Sequence, residues 1–401
     1  MVFEGGAGAS PVERQMAAVR RAIVLDTMEK TRSVPSIDRV LVVTDDVADR
    51  GGLGASAAAA GAEVVASSDG RAGGGGFHFG KVLRDVVTAY GLEKVICAGG
   101  GAMPLIAPAE LEKLASLLAT AERGVWANNI YSADVVGFAP ASETLGGIEL
   151  PASDNALGWN LREQAGLPEL VLEPALKESI GLNFDVDTPV DLVVLSVHPA
   201  CGAGTRAALG AAMAGNGPGW AGRCEAARRV IEVVNDPFSE MTVAGRVSSA
   251  TFRYLDYHTK GRLRLFSEER GMKALGREEA GLVVSFVGHL IDRVGPRAFV
   301  ELVAETSQAL ILDTRVLLAH RRIRASAEDR FLSDLGRWEK VREPWLAELT
   351  RVAAEAPVPV LLGGHSLVSG GLRALMDAAE SRASGRSPAG RSPCSGTPEM
   401  L

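Results

Sequence analysis

Asn183-Phe184-Asp185-Val186-Asp187-Thr188-Pro189-Val190-Asp191-Leu192 sets two carboxylates on alternate residues and stops them at a Thr-Pro pair that opens a helix. Alternate side chains of an extended backbone share a face, so Asp185 and Asp187 project to one side. A helix starting near Pro189 turns its positive end toward that region, which suits divalent cations and anionic ligands. The competing reading is structural: the carboxylates form a solvated strand end that caps the next helix.

Upstream of this junction, apolar runs alternate with amphipathic helices, the pattern of a doubly wound α/β layer. Strands are expected at Val2-Phe3, 38–44, 63–66, 94–98, 124–128 and 133–138, and helices at 11–30, 80–90, 108–121 and 159–165. Residues 192–196 read as strand or helix; the helix is favoured because Pro189 and Asp191 suit a first turn and His198-Pro199 ends it. Downstream, the Gly/Ala-rich segment 199–222 reads as a mobile linker between domains 1–198 and 223–380. The second domain reads as mainly α-helical, with apolar residues at three-and-four spacing through 224–234, 247–255, 280–294, 296–322, 327–335 and 344–356, then a strand-like run at 358–362 and a helix at 369–379. Repeated Gly-Arg-Ser-Pro at 385–388 and 390–393 marks 381–401 as a disordered tail.

The bulk properties exclude several classes. A chain of 401 residues with 47% apolar content supports two domains with cores of their own. A net charge of −7 argues against a dedicated nucleic-acid binder. Cys97, Cys201, Cys224 and Cys394 lack metal-ligand spacing and read as reduced thiols. No signal-peptide pattern opens the chain and no apolar run approaches the ~20 residues needed to span a bilayer, so a cytoplasmic protein without a membrane span is expected.

Gly5-Gly6-Ala7-Gly8-Ala9-Ser10 lies between the first strand and the first helix, where small residues can wrap a phosphate with backbone N–H groups; a plain structural turn is the alternative. The loop lacks the Gly-Lys-Ser/Thr of a P-loop and is not a full dinucleotide fingerprint. Together with Gly99-Gly100-Gly101-Ala102-Met103-Pro104-Leu105-Ile106 and the Asp185–Leu192 segment, it resembles nucleotidyltransferases of GT-A-like fold, of the molybdenum-cofactor guanylyltransferase and phospholactate guanylyltransferase type. The resemblance covers residues 1–195 and implies a doubly wound mixed sheet. It also implies a triphosphate cradle at Gly5, Gly6, Gly8 and Ser10, nucleotide contacts at Gly100 and Gly101, and Mg²⁺ or Mn²⁺ on Asp185 and Asp187 as the catalytic pair. The chain departs from the family at Ala102, where a metal-binding Asp is usual; a methyl group cannot ligate a hard cation.

Asn128, Asn129, Asp154 and Asn155 lie in dense polar segments whose amides suit a base or sugar, which places acceptor binding there; they are equally ordinary turn and cap residues. In the second half, Arg246, Arg253, Arg262, Arg264 and Arg270 with Tyr254, Tyr257 and His258 form a cationic, aromatic stretch that suits either an anionic acceptor or a solvated helical face paired with Glu268 and Glu269. Gly364-His365-Ser366-Leu367-Val368 is similar to a nucleophile elbow, with Val368 where the second Gly belongs. His289 and His320 read as core histidines. The function implied is transfer of a nucleoside monophosphate from an NTP to a small phosphorylated or hydroxyl acceptor, with release of pyrophosphate. The alternative is a catalytically inactive protein on the same fold that binds a nucleotide or sugar phosphate.

Overall fold

The two-residue strand that begins the chain lies at the centre of its sheet. In the computed structural model, which describes residues 1–6, 8–45, 52–67, 77–214, 218–273 and 275–384, β1 (Val2–Phe3) pairs in parallel with both β2 (Leu41–Thr44) and β4 (Val95–Gly99). With β3 (Glu63–Ala66), β5 (Gly124–Ala127) and β6 (Val135–Ala139), the order is β3-β2-β1-β4-β6-β5, and β6 runs antiparallel to both its neighbours. This is a parallel-rich mixed sheet. Period-two alternation covers both of its faces: Val95, Cys97, Val125 and Phe138 enter one core, and Ala98, Trp126 and Val135 enter another.

The helices begin where their caps dictate. Ser10 and Glu13 form a capping box at the start of the Pro11–Arg32 helix, and Thr188 and Asp191 form one at Pro189–Val197. The latter bears out the helical reading of 192–196. Gly137 lies opposite Trp126 across the β5–β6 pair, and a Cβ on it would overlap the fully buried indole. We expect Gly137→Ala to destabilise the first unit by about 1–3 kcal/mol through overpacking, read as a lower urea midpoint at unchanged slope.

The chain divides into two units, Met1–Val186 with Gly202–Ala212, and Asp187–Cys201 with Met213 onward. The division therefore falls inside the Asp185–Asp187 pair, ahead of the expected boundary. The 199–222 segment holds the whole Ala203–Ala214 helix and the start of Pro218–Asn235 in place of a linker. Its glycines serve close approach: Gly204 N–H, Thr205 N–H and the Thr205 hydroxyl all donate to Asp26, at 3.1, 2.7 and 2.6 Å, and a side chain at Gly202 or Gly204 would meet that carboxylate. Residues 381–384, expected as tail, complete the Leu372–Ser384 helix; the rest of the tail lies outside the described residues.

The second unit, expected to be mainly helical, is α/β. It carries β7 (Glu240–Gly245), β8 (Arg262–Ser267), β9 (Ala309–Asp313) and β10 (Val360–Gly363), all parallel, in the order β10-β9-β7-β8. All five residues of β9 are buried, and a continuous apolar run of that length is not separable from a buried helix turn by periodicity. β8 is an edge strand whose alternating arginines, Arg262 and Arg264, pair with Glu240 on β7 rather than with Glu268 and Glu269. The helical reading of 280–294 and 296–322 met a real break: Gly295 has φ 83° and Pro296 follows it within Phe286–Thr306. Among the described residues, no helix is long and apolar enough to cross a membrane.

Candidate functional site

In the first sheet the chain runs one way from β1 to β2 and β3, then crosses to β4 on the other side. Ligand crevices of open α/β sheets lie at such a switch point, beyond the carboxyl ends of the strands. Both glycine-rich loops are there. Gly6, at φ 85°, donates its N–H to Oδ1 and Oδ2 of Asp45, each at 3.2 Å, and a Cβ on Gly5 would come within 3.0 Å of the same carboxylate. The loop thus presents an amide to an anion, and the anion is the protein's own side chain. Gly8, at φ 72°, passes so close to Glu13 that a Cβ would lie 2.6 Å from its backbone, and Ser10 is the helix cap: these two expected phosphate contacts serve the turn. Ala7 lies outside the described residues.

Beyond β4, Gly100 donates to the Phe3 carbonyl at 2.8 Å, and a Cβ there would overlap the Glu4 carboxylate. Glu4 is 6% exposed and paired with Arg20 at 2.8 Å; burial raises its pKa, with Arg20 opposing. Gly101 faces the other way, where a Cβ would come within 2.6 Å of the Val186 carbonyl and 3.1 Å of Asp185 Oδ1. Ala102 and Asp185 form an antiparallel bridge, flanked by Val186 N–H to Gly101 O at 3.1 Å and Met103 N–H to Phe184 O at 3.2 Å. Gly100 and Gly101 are therefore small because chain segments lie against them.

The residues expected to bind an acceptor also collect near this edge. Asp154 Oδ2 lies 3.7 Å from where a Gly99 Cβ would stand, and the Gly99 N–H donates to Asp134 O at 3.2 Å. Their amides are spent on turns. Asn128 Oδ1 accepts from the N–H groups of Asp134 and Val135, and its Nδ2 donates to Asp134 Oδ2 at 3.0 Å. Asn129 accepts from Tyr131 N–H at 3.2 Å, Asn155 accepts from the Ser132 hydroxyl at 3.0 Å, and Asn155 N–H donates to Asp154 at 3.0 Å.

Ala102, 3% exposed, offers a methyl group beside Asp185, and Asp187 belongs to the second unit, where its N–H donates to Asp191 at 3.1 Å. The first unit's described residues give a Mg²⁺ ion a single carboxylate at the bridge, which does not fit a site with a carboxylate pair. Among the described residues, three ligand-type side chains converge at His289, Asp292 and His320. His320 Nδ1 accepts from Ser285 N–H at 3.2 Å, so the proton sits on Nε2, which faces Asp292 at 3.2 Å and has no lone pair for a cation. Arg321 takes the other Asp292 oxygen. His289, expected in the core, is exposed.

The second unit holds a charge network that the sequence did not announce. β7, β9 and β10 end in register, at Gly245, Asp313 and Gly363. Gly245 has φ 147°, and a Cβ on it would overlap Asp313. Fully buried Asp313 accepts from Arg246 Nε at 2.5 Å, Arg246 Nη2 at 3.1 Å and Arg315 N–H at 3.0 Å. Arg315 in turn donates to both oxygens of Asp334, at 2.7 and 2.6 Å. Burial would raise the Asp313 pKa, but Arg246, with His365 and Arg315 behind it, holds the carboxyl below its ordinary value. Ser366, considered as a nucleophile, is buried, donates to Asp191 at 2.7 Å and opens a π-helical turn.

No protein-family model matches this chain, and a comparison with curated proteins finds no match.

Proposed function

We propose that the first unit is a GT-A-like, nucleotidyltransferase-type module that binds a nucleoside phosphate or sugar phosphate beyond β1 and β4 and does not turn it over. One observation carries the reading: the Gly6 amide, in a glycine-rich loop at the switch point of the sheet, already holds a carboxylate, that of Asp45. A ligand phosphate would take that place and displace Asp45. Ala102 supports binding without transfer, because the position beside Asp185 supplies no oxygen.

Asp45→Ala frees the amide and removes a negative charge, so nucleotide affinity should rise about tenfold, the scale of one hydrogen bond to a charged group. Thermal unfolding with each nucleoside triphosphate in EDTA reads this as a larger midpoint rise in the variant. An unchanged or smaller rise in Asp45→Ala would overturn the cradle. The transfer reading, with Asp185 and Asp187 on Mg²⁺, requires instead a Mg²⁺-dependent release of pyrophosphate.

A further inference from the structure

The second sheet has a switch point too. β8 lies on one side of β7 and β9 on the other; Arg246 follows β7 directly, and Arg315 follows β9 after Thr314. Beside these ends lies a cavity of about 1020 Å³, lined by Arg246, Lys273, Arg315, Arg322, Arg324 and Arg330, with Glu278 and Glu279 as its lining acids. Asp313 and Asp334 neutralise Arg246 and Arg315 from below and fix their guanidinium planes. Lys273, Arg322, Arg324 and Arg330 then outnumber the two glutamates.

Arg330 is the most telling of these. It projects from the Ala327–Asp334 helix, its Nε is buried, and that nitrogen has no hydrogen-bond partner among the described residues. Burial, then the neighbouring Arg315 charge, lowers its pKa. Asp334 and Glu278 oppose that shift, yet a buried guanidinium nitrogen left without a hydrogen bond beside a second guanidinium costs stability, and such a cost is retained where a ligand recovers it.

We infer that this cavity binds a small molecule carrying at least two phosphate groups, seated among Arg330, Arg322, Arg324 and Lys273, the lining cations that Asp313 and Asp334 do not engage. Arginine forks suit phosphate oxygens bidentately, and the volume exceeds what a single phosphate ion fills. The site belongs to the second unit and does not depend on the Asp45 cradle.

The test is thermal unfolding of the full chain with inorganic pyrophosphate, with fructose 1,6-bisphosphate, and with sodium chloride at matched ionic strength. Pyrophosphate or the bisphosphate should raise the midpoint beyond the salt control; the stronger of the two tells a polyphosphate from a pair of phosphates on a carbon frame. Arg330→Gln should unfold no earlier than the parent without ligand, and should bind at least about tenfold more weakly. Arg324→Gln, at an exposed position, should weaken binding in the same direction. Asp45→Ala should leave it unchanged. No shift beyond the salt control, or equal shifts in the parent and both arginine variants, would overturn the proposal.

Discussion

Asp313→Ala is expected to destabilise the second unit by about 3–5 kcal/mol, the cost of stranding a buried charge whose partner has been removed. Asp313 is fully buried, and its carboxylate satisfies Arg246 through two nitrogens and caps the Thr314–His320 helix through Arg315 N–H. These bonds, with a fourth from the Arg246 backbone N–H, vanish together. The measurement is equilibrium urea unfolding, followed by the double variant Asp313→Leu with Arg246→Met. Replacing both members with apolar groups removes the stranded charge, so the pair should recover much of the loss. If Asp313→Ala cost less than about 1 kcal/mol, the network would not be the organising feature of this sheet edge.

Asp191→Asn should gain stability relative to the parent as pH rises from about 4 to about 7, by about 4 kcal/mol in total. Burial, followed by the Asp187 charge, pushes the Asp191 pKa up to about 7 from its ordinary value of 3.8. The folded state therefore holds a proton that the unfolded state has released, and this contribution is full below pH 3.8 and is lost as pH rises through about 7. His365 acts in the opposite sense. Burial, then Arg246, pushes its pKa down to about 4 from 6.5, so its contribution is full above 6.5 and is lost as pH falls through about 4. The two slopes nearly cancel in the parent between those limits. The asparagine keeps the acceptor for Thr188 and Ser366 and removes one slope, so the variant should show a rising profile on the order of 3 kcal/mol from His365 alone. Identical pH profiles for parent and variant would contradict this assignment.

The first unit was legible because each of its strands is bounded by a turn or a helix cap, and because burial on two faces alternates with period two, as in Val125 and Trp126. The short β1 was legible by position, between Met1 and the glycine-rich loop. The second sheet was not, for two separate physical reasons. β9 is buried on both faces and shows no period, while the period of β8 is carried by edge arginines that read as a charged helix face. β10 was expected, as the strand-like run at 358–362, but with β7, β8 and β9 unseen their ends were unseen as well, and Arg246, Asp313, Arg315 and Arg330 had no reason to be grouped. The one available signal was the Asp313-Thr314-Arg315 step that follows the apolar run Ala309–Leu312.

In the first unit the glycines were legible as positions and not as roles. Gly8, Gly100 and Gly101 each admit a neighbouring chain segment, and only the close approaches show this. Asp45, which follows β2 directly, is the group that occupies the loop amide. A hydrogen bond between residues so far apart in sequence leaves no local pattern to read.

The central claim, a phosphate ligand bound beyond β1 and β4 without turnover, is tested most directly on Arg330→Gln, whose second-unit cavity is weakened, compared with the same variant carrying Asp45→Ala. Its thermal midpoint is measured with each nucleoside triphosphate, first in EDTA and then with Mg²⁺. The account predicts a rise in EDTA, of about 2.7 kcal/mol at a hundredfold excess over the dissociation constant, and no pyrophosphate released in either condition. No rise with any nucleotide, or a rise that requires Mg²⁺ and comes with pyrophosphate release, would contradict it.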